Sequence, residues 1–84
     1  MTIEERVENL IKDKIEDLGY KLVRVTYGRE MGRKALTVFI DNEENRISLK
    51  DCELVSKAIE PILDEADIIK ERYYLIVSSK GVEL

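Results

Sequence analysis

Two groups of side chains in this sequence could supply a nucleophile: a single thiol and a Ser-Ser-Lys run. The chain contains no histidine, so either nucleophile would need a lysine or a carboxylate as its activating base. Cys52 shares a helical apolar stripe with Val55 and Ile59, where a thiol packs as a small hydrophobe. The run at residues 78–80 is one local cluster at a predicted strand end, which is more typical of a turn. We therefore expect no enzyme activity and a structural role for Cys52.

Metal, cofactor and phosphate-loop chemistry find little support in the composition. With 18 acidic residues in 84, carboxylates approach one another by chance, and one cysteine without histidine excludes His-ligated metals and an internal disulfide. A Walker loop needs glycine, four residues and then Gly-Lys-Ser or Gly-Lys-Thr, which the sequence lacks. A KH-type RNA clamp needs a GxxG loop between helices, and no glycine lies between Gly32 and Gly81. We expect no metal and no cofactor.

Charge is distributed unevenly along the chain, although the net charge is only −4. Residues 24–34 carry four cations against one acid, a local charge of +3, whereas residues 41–67 carry nine acids against three cations, a local charge of −6. A basic hairpin could contact phosphate while an acidic helix surface meets a basic protein. A hairpin that carries charge to avoid edge aggregation explains the same pattern equally well.

The first half of the sequence predicts one helix and two strands. Apolar residues recur every three or four positions from Ile3 to Leu18, with Thr2 and Glu5 spaced as a capping box and Gly19 placed to end the helix. Residues 20–27 and 34–41 then alternate with period two, which predicts two strands. Val23, Val25 and Tyr27 are expected to share one face of the first strand, and Leu36, Val38 and Ile40 one face of the second. A loop of about five or six residues, with glycines at both ends for positive φ, is expected to join them.

The second half predicts a helix and a third strand. Ser48 is placed to cap a helix and Asp51 lies at its third position, where the helix dipole favours an acid. Pro61 removes a helical hydrogen bond, so we expect the regular helix to end or kink near Glu60. Residues 64–70 then form a connection and residues 73–78 a strand.

The order of elements, αββαβ, predicts an α+β fold: a two-layer sandwich with two helices packed on one face of a three-stranded sheet. If the second and third strands are parallel, the helix between them makes a right-handed crossover.

The length allows one compact domain, residues 1–84, and we expect a monomer. No signal peptide or membrane-length apolar run is present, and the thiol is free, so we expect a cytoplasmic protein that does not contact membranes.

Three stretches, in order, resemble the N-terminal domain of the bacterial ribosome maturation factor RimP family. They are LGYKLVRVTY at residues 18–27, LTVFID with ISLKDCELVS at residues 36–41 and 47–56, and YLIVSSKG at residues 74–81. Lys80 stands where the family usually has proline, and the family's C-terminal small β-barrel is not part of this sequence.

This resemblance implies a non-enzymatic factor that assists assembly of the small ribosomal subunit by binding ribosomal RNA and ribosomal proteins. The alternative is a free-standing interaction module of KH-like outline with no ribosomal role. Candidate residues for contact with RNA or the ribosome are the cations of the predicted hairpin and the polar end of the third matching stretch: Arg24, Arg29, Arg33, Lys34, Ser78, Ser79 and Gly81.

Overall fold

The computed structural model describes residues 2–42 and 47–79, without the side chain of Glu30. Two helices and three strands follow in the order αββαβ: α1 (Ile3–Asp17), β1 (Lys21–Glu30), β2 (Arg33–Asp41), α2 (Leu49–Ala66) and β3 (Tyr74–Ser79). The predictions that involve residues 43–46 and 80–84, including Gly81, fall outside the described residues. The predicted order of elements and the α+β class are confirmed.

The three strands form one sheet in the order β1-β2-β3. β1 and β2 are an antiparallel hairpin, whereas β2 and β3 are parallel and are connected through α2. The antiparallel pairing runs from Lys21 opposite Asp41 to Glu30 opposite Arg33, but the parallel pairing begins only at Ala35 opposite Tyr74. The tip of the hairpin therefore projects beyond the beginning of β3.

Thr2 caps α1 as predicted, but the Glu5 carboxylate accepts from the Thr2 hydroxyl, so the predicted reciprocal capping box does not form. The Thr2 hydroxyl accepts a hydrogen bond from the Glu5 backbone N–H at 3.1 Å. Gly19, immediately after the helix, has φ +93°, a conformation that glycine adopts without strain. The buried face of the helix carries Val7, Ile11 and Ile15.

The hairpin turn differs from the predicted loop. Strand pairing continues through Gly28 opposite Ala35, and only Met31 and Gly32 remain in the turn. Both have positive φ, 52° and 79°, as in the two-residue turns whose twist matches that of antiparallel strands. The prediction of a five- or six-residue loop was wrong because Gly28 is a strand residue, and Gly32 alone of the two loop glycines has positive φ.

β1 also departs from strict alternation. Its pairing with β2 shifts between Leu22 and Arg24, so Val23 is the extra residue of a β-bulge. Val23 is 47% exposed, whereas Val25 is buried. The prediction that Val23 shares a face with Val25 and Tyr27 was wrong, since the bulge places Leu22, Val25 and Tyr27 together on the core side.

α2 begins as predicted but extends further. Ser48 and Asp51 form a reciprocal capping box, and the helix continues past Pro61 to Ala66. Ile59 and Leu63, on either side of the proline, are both buried against the core. This packing supports the helix through Pro61. Of the two predicted outcomes near Glu60, an end or a kink, the end was wrong, because the connection to β3 begins only at the C-cap Asp67.

The hydrophobic core lies between the helices and one face of the sheet. Its fully buried side chains come from both helices and β2: Val7, Ile11, Ile15, Leu36, Val38, Ile40, Val55 and Ile59. No helix of residues 2–42 and 47–79 covers the opposite sheet face, which exposes Tyr74 and Ile76. Neither helix of the described residues is long and apolar enough to cross a membrane.

Candidate nucleic-acid interface

A cleft of about 640 Å³ lies where the hairpin tip projects past the start of β3. One wall comes from the end of β1 and the start of β2, and the other from the segment that leads into β3. Its lining residues are Arg29, Gly32, Arg33, Lys34, Glu71, Arg72, Tyr73 and Tyr74. Four of these side chains are cationic and one is anionic, so the cleft is suited to an anion.

The three arginines of the cleft are exposed and have no carboxylate partner among the described side chains. Arg33 donates a hydrogen bond to the Tyr74 hydroxyl, and its guanidinium carbon lies 5.3 Å from the centre of the Tyr74 ring. The aromatic ring therefore orients the Arg33 guanidinium without neutralising it.

Lys34 is the one partly neutralised cation of the cleft. Its Nζ lies 3.6 Å from Glu71 Oε1 and 5.4 Å from the centre of the Tyr27 ring. The Tyr27 hydroxyl donates to the same Glu71 oxygen at 2.9 Å. Loss of solvent around Tyr27, together with this hydrogen bond, raises the pKa of its phenol. Glu71 is thus held between Lys34 and Tyr27, and its carboxylate occupies the anion position nearest Lys34.

Arg24 does not reach the cleft, because it lies five residues before Arg29 on β1, about 17 Å along the strand. Its guanidinium carbon lies 5.3 Å from the centre of the Phe39 ring on the open face of the sheet. Phe39 is opposite Arg24 on one side and Ser78 on the other, so these three residues form a row across the strands.

The remaining sequence candidates are separated from the cleft. Ser78 is half-buried at the far end of β3, and Ser79, next to it, is only 6% exposed. Gly81 lies outside the described residues. The structure therefore brings Arg29, Arg33 and Lys34 together and places Arg24 and Ser78 in a second group.

Four residues of these two groups were not identified from the sequence: Glu71, Arg72 and Tyr74 at the cleft, and Phe39 on the open face. The parallel pairing of β2 and β3 puts the beginnings of both strands at one edge of the sheet. Arg72 precedes β3 and Tyr74 begins it. A third strand that is parallel to β2 must start beside the hairpin tip, so the predicted crossover was the one sequence signal that could have placed these two residues at the cleft.

The helix layer and the sheet layer of the fold differ in net charge. The segments of α1 and α2 carry eleven acids and five cations, a net charge of −6. The three strand segments carry five cations and two acids, a net charge of +3. A polyanion is therefore attracted to the sheet and the cleft and repelled by the helices.

The described residues offer little for other chemistry. No group of three or more potential metal-ligating side chains that could hold a metal ion occurs in residues 2–42 and 47–79. The predicted burial of Cys52 is confirmed, with an exposed fraction of 7%, and burial raises the pKa of its thiol. This environment disfavours the reactive thiolate.

Residues 10–83 match the family model described as the RimP N-terminal domain. Among curated proteins, the chain is similar to "Ribosome maturation factor RimP" of Rickettsia prowazekii (strain Madrid E). The two are 41% identical over 83 residues, which cover 98% of this chain and 70% of that relative.

Proposed function

This chain belongs to the RimP family of ribosome maturation factors, and from that membership we propose that it assists assembly of the small ribosomal subunit by binding the subunit's RNA. The observation that carries the proposal is the cleft at the hairpin tip, where four cations face one carboxylate. Membership in a ribosome maturation family also favours this function over a free-standing module with no ribosomal role.

The four cationic side chains of the cleft contribute differently to the proposed binding of RNA phosphates. Arg29 and Arg72 are exposed on its two walls and bind phosphate oxygens. Arg33 is held by Tyr74, so less side-chain freedom is lost when it binds. Lys34 binds phosphate when the nucleic acid displaces Glu71 from it.

The acidic helices are proposed to contact a different partner from the cleft. Their net charge of −6 suits contact with a basic ribosomal protein while the sheet side faces RNA. Such a protein acts by binding, as a cytoplasmic monomer without catalysis or a cofactor. The buried Cys52 thiol supports this account because it lacks an activating environment.

The test is quantitative co-sedimentation with isolated small ribosomal subunits. The variant Arg29→Glu, Arg33→Glu and Lys34→Glu reverses three charges of the cleft and should lose most binding, because cation–phosphate contacts dominate affinity for nucleic acid. Circular dichroism establishes that the variant is folded.

The matched control is Lys12→Glu, Lys50→Glu and Lys57→Glu, which makes the same charge change at exposed helix positions. This control should bind at least as tightly as wild type, because its added acids lie on the helices that are proposed to contact a basic protein. If both variants bind equally weakly, net charge rather than the cleft governs association. If the wild-type chain does not bind small subunits, the proposed function is wrong.

A further inference from the structure

The open face of the sheet carries two arginine–aromatic pairs, one near each end. Arg33 lies over Tyr74 at the hairpin end and Arg24 lies over Phe39 at the other, each with its guanidinium carbon 5.3 Å from the ring centre. The register places Thr26 opposite Thr37, and Thr37 opposite Ile76, between the two pairs. Neither helix contributes to this face, and Tyr74 is 52% exposed.

We infer that this face binds an unpaired segment of RNA, with bases stacked on the two arginine–aromatic pairs. The inference rests on the proposed function and names the form of RNA that is bound. The Arg24 and Arg33 guanidinium groups are exposed beside the Phe39 and Tyr74 rings, and nucleobases stack on guanidinium planes as well as on aromatic rings. The strand's phosphates then continue into the cleft, where Arg29 and Arg72 are exposed.

The dimensions of the face fit a short single strand. Tyr74 is opposite Ala35, four residues from Phe39 on β2, so the two rings are separated by about 13 Å along the strand. Open β-sheets that recognise single-stranded RNA stack about two or three bases on surface rings. Thr26, Thr37 and Ser78 supply hydroxyl groups that can bond to base edges.

Charge favours RNA over a protein as the occupant. Arg24 and Arg33 carry the charge at the two stacked positions, and neither pairs with a carboxylate among the described side chains. A protein surface placed here would have to desolvate both guanidinium groups, whereas RNA offers phosphates and base faces to each of them.

Fluorescence anisotropy tests this inference with a labelled 12-nucleotide RNA of mixed sequence, measured alone and annealed to its complement. The wild-type chain should bind the single strand at least about tenfold more tightly than the duplex. Phe39→Leu with Tyr74→Leu keeps apolar bulk but removes both rings, so affinity for the single strand should fall at least about tenfold, since each stacked base contributes about fivefold or more. Leu49→Ala with Leu54→Ala, at exposed positions of α2, is the control and should leave affinity unchanged.

Equal affinity for the single strand and the duplex, or unchanged affinity in the ring variant, overturns the inference. A ring variant that keeps oligonucleotide affinity but no longer co-sediments with small subunits also overturns it, because the face then binds a protein. Failure of the proposed function is distinct: the wild-type chain then does not bind small subunits, while its ring-dependent preference for unpaired RNA remains measurable.

Discussion

Asp51 connects the end of α1 to the beginning of α2. Its carboxylate accepts hydrogen bonds from the Ser48 backbone N–H at 2.8 Å and from the Tyr20 hydroxyl at 2.5 Å. These bonds, first that from the Ser48 backbone, lower the pKa of Asp51 below its ordinary value of 3.8. The Ser48 cap was evident in the sequence, but Tyr20 lies 31 positions away and enters only through the packing of the two helices.

The lowered pKa predicts how stability depends on pH. A carboxyl group whose folded pKa lies below its unfolded value stabilises the native state fully above the unfolded value, and this contribution is lost as pH falls through the folded pKa. Asp51→Asn should therefore lower the urea midpoint at pH 7, and the difference from wild type should narrow below about pH 4. Glu65→Gln, at an exposed position of α2, is the control. A difference that stays constant down to pH 2.5 would show that the charge of Asp51 does not stabilise the fold.

Cys52 provides a second prediction at the residue scale. Cys52→Ser places a hydroxyl in a buried site and should destabilise the chain by about 1–3 kcal/mol if the hydroxyl has no partner. Cys52→Ala should cost less if the site relaxes. Thermal melts measure both values. Alkylation of the native thiol at the rate of an unstructured peptide would contradict its burial.

The hairpin is where element-scale prediction from sequence was least accurate. The alternation of β2 correctly placed Leu36, Val38 and Ile40 on one face, and all three are fully buried. The bulge at Val23 and the left-handed Met31 have no local signal, since neither residue type favours such a position. The helix does not end near Pro61 for another reason: burial of Ile59 and Leu63 outweighs the local preference of one residue.

The turn conformation gives a paired prediction. Met31 has φ 52°, which asparagine tolerates better than methionine, so Met31→Asn should stabilise the chain by up to about 1 kcal/mol. Gly32→Ala puts a side chain at φ 79° and should destabilise by about 1–2 kcal/mol. Gly28→Ala is the control, because its φ is not positive and an added Cβ meets no atom within 4 Å. Melting temperatures that change in the same direction for Met31→Asn and Gly32→Ala would contradict the two-residue turn.

At the scale of the whole molecule, half of the candidate interface could be predicted. The hairpin cations are close in sequence, so a local charge count found them. Arg72 and Tyr74 lie about 40 residues later and reach the same cleft through the parallel pairing of β2 and β3. The second wall of the cleft, the segment that leads into β3, was therefore not predicted, because alternation alone does not give the strand order.

Glu71 should weaken nucleic-acid binding, because it is the one carboxylate among the described residues that line the cleft. Glu71→Gln removes its ion pair with Lys34 and should raise affinity for small subunits about two- to fivefold, the range expected for an exposed pair. Glu53→Gln breaks the comparable pair with Lys57 on α2 and is the control. Equal gains in both variants, measured by co-sedimentation, would show that only net charge matters.

The salt dependence of small-subunit binding shows whether the cleft arginines bind RNA phosphates. Log affinity falls as log salt concentration rises, and each phosphate that a cation neutralises increases the magnitude of this slope by about 0.7–0.9. Arg29→Gln, Arg33→Gln and Arg72→Gln together should reduce the slope by about two units or more, while Lys12→Gln, Lys50→Gln and Lys57→Gln together should leave it unchanged. An identical slope for wild type and the arginine variant would contradict the account.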